Sequence, residues 1–202
     1  MHRSDITELH YIAHVNNLKS ILQHGIMPHN KAKGVSHTSI SDSEVQKRRS
    51  KVVIPLNNKL HDYVNLYFNA RNPMMYTLIR NHNHKELAVL KIDATLLDKD
   101  NIIIADKNAS SDYVGFYNVS DGLRYLEKER VYARYWNDPD SIEKYRKKSA
   151  ICAEVLVPDT LHPKFITGCY VSCQESLNKV KNLLTGTHIA NKVSINSDIF
   201  FQ

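Results

Sequence analysis

The sequence is poor in cysteine and glycine and has no long apolar run. Three cysteines, Cys152, Cys169 and Cys173, are too few and odd in number for the disulfide framework of a small secreted domain. Free thiols in a reducing compartment are expected, and with them a cytoplasmic location. Six glycines leave neither GxGxxG nor GxxxxGKS/T, which excludes the two common glycine-rich phosphate cradles. A bound nucleotide would be held by side chains and strand edges instead. No apolar stretch approaches the length of a bilayer crossing. The opening residues, MHRSDITELHY, lack the apolar centre of a signal peptide. A soluble chain, complete from its first residue and without a membrane partner, is expected. His82 and His84 form one spaced pair and Cys169 and Cys173 another, but neither has companions at zinc-ligand spacing, so no metal is expected. Repeats, linkers and low-complexity segments are absent too, which makes one domain over 1–202 the expectation.

What the chain has in excess is positive charge, with 27 Lys and Arg against 21 Asp and Glu and a net charge of +6. Such a balance favours an anionic partner. Two segments concentrate it: KRRSK at 47–51 and EKYRKK at 143–148. Each reads most simply as a solvated helix end. Together, and with Tyr132, Tyr135 and Trp136 just ahead of the second, they offer phosphate contacts beside stacking surfaces, the mixture that single-stranded nucleic acid needs.

Periodicity and punctuation divide the chain into strands at 8–15, 60–69, 86–93, 101–106, 150–158 and 164–172, with a terminal strand or two near 188–201. Helices are expected after Asn16 or Asn17 up to Gly25, at 42–50, from Pro73, at 121–136 with a break near its end, at 141–148 and at 174–186. The segments 27–41 and 107–120 read as loops, and VVIPLNN as a short apolar piece followed by a turn. The fold class is α+β, with helices around a mainly antiparallel sheet.

Two features resist a purely structural reading. KLHDYVNLYFNARNPMMY, at 59–76, mixes aromatic and polar side chains as the wall of a ligand pocket does. Glu154 places a carboxylate within an apolar strand, where it is costly unless it faces solvent or works in a site.

In this order the segments HYIAHVNNLKSIL, QKRRSKV, LHDYVNLYFNARNPMMY, ARYWNDPD and KKSAICAEVLVP resemble the DarT family of DNA ADP-ribosyltransferase toxins. The resemblance covers most of the chain and is most specific in the central stretch. It implies an ADP-ribosyltransferase-like fold with a split sheet, and NAD as substrate in the cleft of that split. It also implies single-stranded DNA as acceptor, a DarG-like macrodomain antitoxin as partner, and no metal. By the same resemblance, Glu154 and Arg49 are the catalytic pair. Contacts to NAD fall on His10, Tyr11, Ala13, His14, Asn17, Leu18, Tyr67, Arg71 and Met74, with Asn72 and Met75 alongside. DNA contacts fall on Lys47, Arg48, Lys51, Tyr132, Arg134, Tyr135, Trp136, Arg146, Lys147 and Lys148.

The chain departs from the family pattern at LHYIAH, where relatives read more like YHITH, so the family histidine corresponds to Tyr11 or, by a one-residue slip, to His10. IADKN stands where a substrate-side histidine is common, and KSAICAEV is slightly longer than the family run. Thymine is the first expectation for the modified base and guanine the second. An ADP-ribosyltransferase acting on RNA or protein, or a non-enzymatic nucleic-acid binder of the same fold, are the alternatives.

Overall fold

The computed structural model describes residues 1–55 and 58–202. The chain starts with strand β1 (Glu8–His14), followed by helices α1 (Leu18–His24), α2 (His29–Ala32) and α3 (Ser43–Arg49). A small hairpin, β2 (Val53–Ile54) with β3 (Asn58–Lys59), leads into β4 (Tyr63–Tyr67) and α4 (Pro73–Asn81). Next come β5 (Leu87–Asp93), β6 (Ile103–Ala105), β7 (Phe116–Asn118), α5 (Val119–Tyr125), α6 (Lys128–Val131) and α7 (Ser141–Ala150). The chain finishes with β8 (Glu154–Pro158), β9 (Ile166–Val171), α8 (Gln174–Leu183) and β10 (Val193–Ile195).

Eight strands form one sheet in the order β10-β9-β5-β1-β4-β8-β6-β7. Every neighbouring pair is antiparallel except β9 with β10. Strand β5 lies inside the sheet, between β9 and β1, and its run Leu87, Ala88, Val89, Leu90 is buried on both faces. Side chains alternate across the sheet as a pleat requires. Leu9, Ala13, Leu66, Leu90 and Val155 enter the larger core on one face. Ile12, Tyr67 and Val89 meet Met75, Leu78 and Phe200 on the other. Strands β1 and β5 pair over seven residues, whereas β1 and β4 share a single registered pair, His10 with Tyr67. Beyond that pair the strands part, and the sheet is split there.

The helix ends follow local chemistry. Asp42 caps α3 by accepting the N–H groups of Glu44 and Val45 at 2.9 and 3.0 Å. Asn72 caps α4 by accepting the Met75 N–H at 3.0 Å, with Pro73 at the first helical position.

Several expected boundaries moved. The helix expected at 121–136 is two short helices, because Leu126 is extended (φ −85°, ψ 127°) and buries its side chain in the core. The strand expected from residue 150 begins at Glu154, since α7 runs on to Ala150 and Ile151 is still helical. The loop at 27–41 contains α2, and the loop at 107–120 contains β7. The expected strand 60–69 starts with a 3-10 turn at Leu60–Asp62. Asn17 already has helical angles and makes no capping bond. In VVIPLNN, Leu56 and Asn57 lie outside the described residues.

Helix α5 lies directly on β6. A Cβ added at Gly122 would come within 2.5 Å of the Ile104 Cβ. Gly122→Ala must therefore push the helix off the strand, and a loss of about 1–3 kcal/mol is expected. Urea unfolding should show a lower midpoint at an unchanged slope; an unchanged midpoint would contradict this packing.

Candidate active site

Where β1 and β4 separate, a cleft of about 490 Å³ opens. Ile12, Ala13 and His14 line one side and Tyr63, Asn65 and Tyr67 the other. Helix α4 adds Met74 and Leu78, and α3 adds Gln46 and Arg49. The segment His37–Asp42 closes a further wall. It is tied to α1 by Asn17, whose side chain donates to the Thr38 carbonyl at 2.8 Å and accepts the Thr38 N–H at 2.9 Å.

Below this surface lies a buried ion pair. Arg49 Nη1 and Nη2 donate to Glu154 Oε1 and Oε2, both at 3.0 Å. Glu154 is fully buried and Arg49 nearly so. Oε1 also accepts the Ala109 N–H at 2.9 Å. Two buried charges stay ionised only when paired and hydrogen-bonded this completely. Burial works against the Arg49 charge, but the attraction and hydrogen bonds of Glu154 outweigh it and hold the guanidinium above its usual range.

The neighbours respond to the same pair. Tyr67 is the ladder partner of Glu154, so the two share a face of the sheet. Burial, followed by the nearby carboxylate, pushes the Tyr67 phenol up, so it stays protonated. Its hydroxyl donates to Met74 Sδ at 2.8 Å and accepts from Asn65 Nδ2 at 3.3 Å. The Cys152 thiol is pushed up to about 12 by burial and by Glu154, and is no nucleophile at neutral pH.

Of the residues expected to meet NAD, Tyr11, Ala13, His14, Asn17, Tyr67 and Met74 line the cleft. Three others lie elsewhere. Leu18 is fully buried in the larger core, where helical periodicity places it. His10 shares a face of the sheet with its ladder partner Tyr67 but is not part of the cleft lining, with Nδ1 against the Phe68 carbonyl at 3.1 Å and Nε2 against Glu8 at 3.2 Å. Arg71 donates to the Arg134 carbonyl at 3.2 Å, bonds the Asp198 carbonyl and stacks over Phe201 at 3.9 Å. Asn72 and Met75 are also fully buried, as cap and core.

Lys47, Arg48 and Lys51 are exposed around the end of α3, the helix that turns Arg49 inward. On α7, Lys147 is bonded to Asp138 at 2.7 Å and Arg146 lies 3.9 Å from Glu143. Lys148 is exposed, and its charge reaches the Cys152 thiol at the cleft. Tyr132 is half-buried against the core, its phenol pushed up to about 12 by burial, while Arg134 and Tyr135 are exposed and Trp136 half-buried. Among the described residues, no group of three or more His, Cys, Asp or Glu is arranged to hold a metal ion, and no helix is long and apolar enough to cross a membrane.

Three site features escaped the sequence reading: the Ala109 N–H on Glu154, the Gln46–His61 bond and the stacked pair His29–His61. A backbone donor has no side-chain signature. His61 stood within the conspicuous stretch at 59–76 and was the findable one. Its Nε2 meets Gln46 Oε1 at 3.0 Å, and its ring lies 4.1 Å from that of His29. Burial, then the charges of His29 and Arg49, lower its pKa to about 4. An unfolded histidine takes its proton near 6.5. Between about 6.5 and 4 the unfolded chain therefore binds the extra proton, and stability falls as pH falls through that window. His61→Gln can still donate to Gln46 but does not titrate. Between pH 7 and 4.5, the variant should lose about 1–2 kcal/mol less than the parent in urea titrations, after allowing for solvent at the cleft. Equal losses would mean that His61 is not held neutral.

A family model described as "ssDNA thymidine ADP-ribosyltransferase, DarT" matches residues 10–201. A DNA ADP-ribosyl transferase–DNA ADP-ribosyl glycohydrolase fusion protein of Thermosipho africanus (strain H17ap60334) is 30% identical over 191 residues, covering 90% of this chain and 47% of the relative. The chain thus spans about half the length of that relative. The structure of Thermosipho africanus DarTG in complex with ADP-ribose aligns with a TM-score of 0.84 at 30% identity, over 96% of this chain and 51% of that one. Thermus sp. 2.9 DarT in complex with NAD+ aligns with a TM-score of 0.78 at 25% identity, over 97% and 98% of the two chains. The family model spans nearly the whole chain and the solved relatives share its fold: the chain belongs to the DarT family of ADP-ribosyltransferases.

Proposed function

We propose that this chain transfers ADP-ribose from NAD to a thymine base of single-stranded DNA and releases nicotinamide. The observation that carries the reading is the Arg49–Glu154 pair set in the floor of a split sheet, beside Tyr67 and under a cleft of about 490 Å³. That volume lies within the range of small-molecule sites. NAD is assigned to Tyr11, Ala13, His14, Asn17, Tyr67 and Met74, all of which line the cleft. His10, Leu18 and Arg71 are left out because their side chains are engaged elsewhere.

In the reaction the bond from nicotinamide nitrogen to ribose C1′ breaks and its electron pair leaves with nicotinamide. Positive charge builds on the sugar, as in glycoside cleavage. Stabilising that charge is the role assigned to Glu154. A base nitrogen then attacks C1′, and its proton passes to solvent. Arg49 is too basic to serve as a free proton acceptor, so its assigned role is to stabilise the anionic form of the base. Glu154 is covered by Arg49, so substrate reaches the carboxylate only once the guanidinium gives up one of its two bonds.

The exposed charges of Lys47, Arg48, Lys51, Arg146 and Lys148 and the half-buried Lys147, with Tyr132, Arg134, Tyr135 and Trp136, are assigned to the DNA strand. The Thermosipho relative carries a DNA ADP-ribosyl glycohydrolase in the same polypeptide. This supports a DarG-like macrodomain as antitoxin partner, with the present chain as the toxin domain, acting in the cytoplasm. NAD is a substrate here, and no metal enters the scheme.

Mass spectrometry of thymine-containing DNA, thymine-free DNA, RNA and protein incubated with NAD tests the assignment. An ADP-ribose adduct on the thymine-containing strand alone is expected. Glu154→Gln should lower adduct formation by on the order of a hundredfold or more, with NAD affinity largely kept. An adduct on RNA or protein alone would replace the DNA reading. Near-normal turnover by Glu154→Gln would remove that residue from the chemistry.

A further inference from the structure

Helix α4 has two working faces. Met74, Thr77, Leu78 and Asn81 line the cleft, while Tyr76 and Arg80 emerge on the other flank. On that flank Tyr76 meets Trp136 edge-on at 6.0 Å between ring centroids and Phe201 at 5.3 Å, with Trp136 and Phe201 5.9 Å apart. Tyr76 is 43% exposed and the neighbouring Tyr135 62%. Four aromatic rings from three separate segments thus share one surface.

Guanidinium groups edge the patch. Arg71 lies 3.9 Å over Phe201 and 5.6 Å from the Tyr135 ring, Arg134 lies 5.6 Å from Tyr135, and Arg80 lies 5.9 Å from Tyr76. Asp198 partly neutralises two of them, at 2.7 Å from Arg134 and 3.7 Å from Arg71. Arg80 is exposed, and among the described residues it forms no ion pair. Three cations against one carboxylate leave the patch positive.

We propose that this patch is a stacking platform for nucleotides of single-stranded DNA that flank the modified base. The inference rests on the DNA-modifying reading and extends it beyond the cleft, to Tyr76, Arg80 and Phe201. Stacked bases need open aromatic faces, and their phosphates need cations beside those faces. A folded protein partner would have to strip water from the exposed guanidinium groups of Arg80 and Arg134 to cover the same rings. Base pairs of a duplex hide their faces, so a duplex does not fit. The patch shares α4 with the cleft, so one strand can occupy both.

Trp136 is the only tryptophan in the chain, so its fluorescence reports on the patch directly. Oligothymidine titrated into the intact protein should quench it to saturation. Tyr135→Ala should bind about tenfold more weakly, in the range of losing one stacked base. Its melting temperature should be unchanged, because Tyr135 is largely exposed. Tyr76→Leu keeps the apolar packing but not the ring, and should also bind more weakly. Unmoved fluorescence with undiminished affinity in both variants overturns the proposal, even if the strand is modified in the presence of NAD. Binding of duplex DNA or RNA as tightly as the single strand overturns it as well. Quenching and weakened variants without any adduct would sustain the platform and sink the enzymatic reading instead.

Discussion

The buried pair of Arg49 and Glu154 is the interaction on which the rest of the structure depends. Removing two such charges from water costs several kcal/mol each, and only full hydrogen bonding offsets that cost. Glu154 accepts three N–H donors here, two from Arg49 and one from the Ala109 backbone. The donors come from α3 and the segment before β7, while the acceptor sits at the first residue of β8. Each segment must be placed to fractions of an ångström for the set to close. A well-packed apolar core would supply stability at smaller cost. The pair is therefore better understood as stored polarity, held ready in a place where water cannot weaken it.

The split between β1 and β4 is the second constraint, and it follows from uneven pairing. β1 is zipped to β5 over its whole length and cannot follow β4 beyond His10 and Tyr67. β4 is zipped with equal completeness to β8, which brings Tyr67 opposite Glu154. The sheet therefore opens at one seam while each half stays continuously paired. The cleft walls are pinned by individual polar contacts: Asn17 to Thr38, Gln46 to His61 and Tyr67 to Met74. A site with rigid strands for a floor and tethered segments for walls admits a ligand with little rearrangement of its base.

Much of this was legible in the sequence, for reasons that are physical. The strands and α4 carried strong periodicity, and Asp42 and Pro73 announced their helices. Glu154 stood out because a carboxylate within an apolar run demands a partner. The 59–76 stretch stood out because its composition suits a pocket wall better than a plain core. Other features were harder to read, each for its own reason. Leu18 and Met75 obey helical periodicity and are core residues, but their neighbours in sequence line the cleft. Arg71 sits beside pocket residues, yet its long side chain turns to the C-terminal segment, 127 positions away at Asp198. Leu126 broke a helix whose local signals were favourable, because the core claimed its side chain. Backbone donors such as the Ala109 N–H leave no trace in residue type at all.

A double-mutant cycle between Arg49 and Glu154, read by urea unfolding, tests the central claim most directly. Arg49→Met and Glu154→Gln should each cost about 3–5 kcal/mol, since each leaves its buried partner without its counter-charge. The double variant should lose less than the sum of the two by roughly 2 kcal/mol or more, as expected for groups in direct contact. Losses that add to within about 0.5 kcal/mol would show that the two residues do not act as one unit, and would contradict the account.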